Sequence, residues 1–114
     1  MGLEDFPQPE NQESIESLKQ RVVEALRQKG LEDPESIQLF TEWAKKQEAQ
    51  VESAGSVEQS REIQIRFEIE RADIYNDAGF KSEAAVALED ARTIASNEGL
   101  DSLQKEIEQK LNSL

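Results

Sequence analysis

The chain has no histidine and no cysteine among its 114 residues. Without histidine it lacks the commonest general acid or base near neutral pH. The dimetal carboxylate site of helical bundles, which needs Glu-x-x-His on facing helices, is excluded as well. Without cysteine there is no disulfide framework and no thiol nucleophile, which fits a reducing compartment and makes cytoplasm the expected location. Positive charge is scarce: 13 Lys and Arg stand against 25 Asp and Glu, for a formal net charge of -12. That balance repels phosphate backbones and anionic headgroups, so neither nucleic acid nor a membrane surface is an expected partner. No apolar run approaches the roughly 18 residues of a membrane span, and no basic-then-apolar leader opens the sequence. Met1-Gly2 does not read as a myristoylation signal, because Phe6 stands where Ser or Thr is required. Glycine-rich phosphate cradles are missing, and Asn76-Asp77-Ala78-Gly79 lacks the alternating oxygens and the bidentate glutamate of a calcium loop.

What remains is 36% hydrophobic and 33% charged, so folding requires the apolar residues to be gathered into stripes. The length suits one hydrophobic core. Residues 1–10 carry Pro7 and Pro9 without a repeating apolar position, and are expected to form a flexible tail ahead of a single domain over 11–114. A first helix is predicted from about Asn11 to Lys29, on the spacing of Ile15, Leu18, Val22, Ala25 and Leu26. Gly30-Leu31 reads as its stop, and Asp33-Pro34 as the cap and first turn of a second helix. Ile37, Phe40, Trp43, Ala44 and Val51 share that helix's face to about Ala54, after which Ser56-x-x-Gln59 offers a capping box for a third.

Residues Ile63 to Ile69 alternate strictly between apolar and polar, which in isolation describes a strand. A lone strand would leave its backbone groups without a ladder, so the segment is predicted helical. On a helix, Ile65, Ile69, Ala72 and Tyr75 form one stripe and Ile63, Phe67, Ile74 and Ala78 another. An element apolar on two sides is expected to be the central, most buried one. A fourth helix is predicted over Ser82 to Glu98, with Ala84, Leu88, Ala91 and Ala95 in line. Gly99-Leu100 repeats the earlier stop, and Asp101 is expected to cap a last helix carrying Leu103, Ile107, Leu111 and Leu114. The fold class is therefore all-α, a compact bundle of about five helices joined by short connections.

Ala72, Tyr75, Gly79, Glu83-Ala84, Leu88 and Ala91 fall at the spacing of a helix-turn-helix hairpin with small residues at its facing positions. This pattern resembles a single tetratricopeptide repeat over about residues 65–98, one period of the ~34 residues such arrays use. Two positions depart from it: Glu68 and Arg71 stand where the family places a large aromatic and an aliphatic side chain. The resemblance implies a protein-binding role, with a partner peptide along the inner face of the hairpin's first helix, at Arg66, Ile69, Asp73, Asn76 and Asp77. That set is mainly acidic, which favours a basic peptide or protein surface over a C-terminal carboxylate. Read without the resemblance, the same residues are a solvated helix face.

No catalytic residues, cofactor or metal site are expected. Glu70-x-x-Asp73 is the nearest local carboxylate pair and could touch a hard divalent cation weakly. Trp43 reads as a core anchor between the second and third helices, with an exposed interface hot spot as the alternative. The expectation is thus an acidic intracellular interaction module without enzymatic activity. Its rival is a self-associating homodimer that buries the two-sided third helix or the last apolar stripe.

Overall fold

Hydroxyl, carboxylate and amide caps set where the first three helices begin. In the computed structural model, which describes residues 14–114, helix α1 spans Ile15–Lys29. The expected N-terminal tail and the expected helix start at Asn11 lie outside the described residues. Ser14 holds extended backbone, and its Oγ accepts the Ser17 N–H at 3.0 Å. Helix α2 (Pro34–Glu52) starts at Asp33, whose Oδ2 accepts the Glu35 N–H at 2.9 Å. For α3 (Val57–Asp77), Ser56 Oγ accepts the Gln59 N–H at 3.1 Å and Gln59 Oε1 accepts the Gly55 N–H at 2.9 Å. This is a capping box whose return bond reaches one residue before the cap.

Helices α4 (Lys81–Glu98) and α5 (Asp101–Asn112) begin at Phe80 and Leu100 without a side-chain cap. The expected capping role of Asp101 is therefore corrected. Gly99 takes left-handed backbone (φ 71°, ψ 28°), and this turns the Leu100 N–H back onto the Ala95 carbonyl at 2.9 Å. Leu100 then occupies the cap position, and Asp101 falls in the first turn, where its charge complements the helix dipole. Gly30 does not repeat this turn. Its ψ of 176° lies outside the left-handed helical basin, so the two Gly-Leu stops are built differently.

The alternating segment 63–69 is continuous helix inside α3. Residues two apart on a helix lie some 200° apart, so alternation populates two opposite sides. One side, with Ile65, Ile69 and Ala72, packs with Ala84, Leu88, Ala91, Ala95, Leu103 and Ile107 of α4 and α5. The other, with Phe67 and Ile74, packs with Leu18, Val22, Leu26, Leu39 and Trp43 of α1 and α2. Tyr75 touches both clusters. Ile63 belongs to neither and stays half-buried.

The result is a five-helix all-α fold, with no strand among the described residues. Its principal packings follow chain order: α1 on α2, both on α3, α3 on α4, and α4 on α5. The α3–α4 contact is the most extensive. Alanines at 72, 84, 87, 91 and 95 are all buried, and their size lets the backbones approach. Trp43 is fully buried, edge-on to Phe67 at 5.1 Å and to Phe40 at 5.7 Å, and so fastens α2 to α3 from inside the core.

Candidate partner-binding surfaces

Two polar strips remain on α3 between its two buried sides, and by helical spacing they point in opposite directions. The first holds most of the residues expected from the sequence. Arg66 is exposed and lies 3.6 Å from Glu106 of α5. Asp73 accepts from Lys110 Nζ, also on α5, at 3.2 Å. Asn76 Oδ1 accepts from Lys81 Nζ at 3.3 Å, and the Asp77 carbonyl accepts from Arg27 Nε of α1 at 2.9 Å. Ile69 is 4% exposed and lies in the core with α4 and α5, so it presents no surface to a partner.

Between them runs Glu70, which accepts from Lys19 Nζ of α1 at 2.8 Å. Burial pulls the Lys19 ammonium down, but the hydrogen bond it donates to Glu70 and the charges of Glu70, Asp73 and Glu16 outweigh it and leave its pKa raised. This face is thus less acidic than the linear sequence indicates, because α1 and α5 each supply a lysine to it. Glu70 and Asp73, weighed as a cation pair, are each committed to one of these lysines. Among the described residues no three acidic, histidine or cysteine side chains gather to hold a metal ion.

The second strip faces a cleft of about 220 Å³ between α3 and α4. Glu68, Arg71 and Tyr75 contribute from α3, and Ser82, Glu83, Val86, Ala87 and Asp90 from α4. Arg71 lies 3.8 Å from the Glu68 carboxylate, with its guanidinium 5.8 Å from the Phe40 ring and 6.0 Å from the Tyr75 ring. Those two rings sit 5.3 Å apart, tilted against one another. Burial pushes the Glu68 carboxyl above its ordinary range; Arg71 opposes this, and the negative charge of Asp90 adds to it. Neither Glu83 nor Asp90 has an ion-pair partner among the described residues. Val86 stands at the lip, 62% exposed.

The residues expected from the sequence lie on the first strip, and sequence reasoning did not single out the second. The available signal was the pair Glu68 and Arg71, set apart only as departures from a repeat pattern. No protein-family model, curated protein or solved structure matches this chain.

Proposed function

We propose that this chain is an acidic, intracellular, non-enzymatic protein-interaction module that binds a basic peptide or protein surface, and that residues 65–98 form a tetratricopeptide-like hairpin within it. The observation that carries the reading is an excess of carboxylate on a surface with little exposed apolar material. The net charge is -12, while among the described residues the exposed large hydrophobics are Ile37, Val57 and Val86, on three different helices. Recognition on such a surface is electrostatic before it is hydrophobic. Hairpin kinship draws support from the buried small residues Ala72, Ala84 and Ala91, from the turn at Gly79, and from packing that proceeds helix by helix along the chain.

Self-association is the less favoured reading. The apolar surfaces it would use are spent inside the fold: both sides of α3 are packed, Leu103 and Ile107 are buried, and Leu111 and Leu114 lie against the same cluster. The test of the interaction reading is a calorimetric titration with an acetylated, amidated peptide carrying several lysines, at low and moderate salt. Binding that weakens with salt, and that is lost when the lysines are acetylated, is expected. Equal affinity for charged and acetylated peptides overturns the electrostatic reading.

A further inference from the structure

We infer that the cleft between α3 and α4 seats one lysine or arginine side chain of a basic protein partner, with its charged head among Glu68, Glu83 and Asp90 and its stem against Tyr75, Ala87 and Val86. This rests on the interaction reading above and names the place and the chemistry of the contact.

Size is the first argument. At about 220 Å³ the cleft falls below the ~300–1,000 Å³ of small-molecule sites, which matches one long side chain better than a metabolite. Charge is the second. Three carboxylates face the cleft and one guanidinium, that of Arg71, answers them. The contrast with the other face of α3 is direct, since there Glu70 and Asp73 already hold Lys19 and Lys110. A cation arriving at Glu70 or Asp73 must displace a bonded lysine, whereas in the cleft it meets two carboxylates, Glu83 and Asp90, that have no ion-pair partner among the described residues. Glu68 and Glu83 are half-buried, and this strengthens their attraction for a cation, because the effective dielectric falls below that of water. The repulsion between Glu68 and Asp90, a lesser cause of the raised Glu68 pKa beside burial, is offset by the same arrival.

The walls supply the third argument. Lysine and arginine lay their methylenes on apolar surface while the head remains among polar groups, and Val86 and Ala87 provide such a surface beside the carboxylates. Arg71 already shows that the environment accepts this chemistry, with its guanidinium near Glu68 and over two aromatic rings.

The experiment is an amide-resolved NMR titration of the full chain with an acetylated, amidated hexapeptide carrying two arginines, set beside the same peptide with citrulline in their place. Shift changes concentrated at Glu68, Arg71, Tyr75, Glu83, Val86 and Asp90 are expected, with none from the citrulline peptide. The double variant Glu68→Gln/Asp90→Asn should weaken binding about tenfold, an amount in keeping with losing two partly screened charge contacts. Glu70→Gln/Asp73→Asn should change it less than about twofold, since both of these carboxylates are already ion-paired. Shifts centred on Asp73 and Asp77, or an unchanged affinity in the cleft variant, overturn the cleft while leaving the interaction reading standing. Failure of the wild-type chain to bind the arginine peptide even at low salt overturns both.

Discussion

Ser36 shows how much a single buried atom can decide. It is fully buried in the first turn of α2, and its Oγ has no hydrogen-bond partner. An unsatisfied buried hydroxyl costs about 1–3 kcal/mol, and alanine is also the better helix former. Ser36→Ala is therefore expected to stabilise the protein by about 1 kcal/mol in urea titrations; a loss of stability would mean that the hydroxyl is satisfied in solution. Glu68 gives the pH counterpart. Its folded pKa lies above the ordinary 4.5, so the folded state holds the proton more tightly than the unfolded chain does. Its contribution to stability is greatest below that ordinary value and is lost as pH rises through the folded pKa. Glu68→Gln should accordingly raise the Tm at pH 7, with the difference from wild type closing toward pH 4. A gain of equal size at both pH values would show that ionisation of Glu68 is not the cause.

Among the elements, the ends of helices were the most informative part of the sequence and also the place where reading it went astray. Ser56-x-x-Gln59 and Asp33-Pro34 announced α3 and α2 because a cap is a local bond, settled by residues two to four apart. Asp101 misled for a related reason: an acidic residue suits both the cap and the first turn, and only the path of the chain through Gly99 distinguishes the two. The two stripes of α3 were legible because every apolar residue there had to face something. The cleft was not legible, since it depends on which polar residues of α3 and α4 end up opposite one another, and spacing along one helix carries no information about the next. Nor could Lys19 and Lys110 be matched to Glu70 and Asp73 from positions 51 and 37 residues away. The Gly99 turn itself is testable. With φ at +71° and open space around the missing Cβ, Gly99→Ala meets only backbone strain and should cost about 1–2 kcal/mol. A loss well above that, measured by urea denaturation, would point to a steric contact instead.

On the scale of the whole molecule, α3 is common to two apolar clusters that otherwise share only Tyr75. Losing either one strips α3 of half its cover, so neither half is expected to persist alone. Trp43 fluorescence, which reports the α1–α2 side, and far-UV circular dichroism, which reports all five helices, should then follow one common denaturation curve. Separated midpoints would show that the halves are independent. The mass in solution by light scattering should be that of one chain, 12.9 kDa, at every concentration, because no continuous apolar face is left over among the described residues. A concentration-independent dimer would reverse the preference between the two readings of function.

Packing in chain order also governs when each half can form. Low contact order of this kind goes with folding in microseconds to milliseconds, fast beside a ribosome that adds about 5–20 residues per second. Synthesis, not the search for contacts, then sets the schedule. The N-terminal cluster that holds Trp43 also draws on Phe67, Ile74, Ala78 and Phe80, so α1 and α2 must wait for a complete cluster until all of α3 and the turn after it have left the exit tunnel.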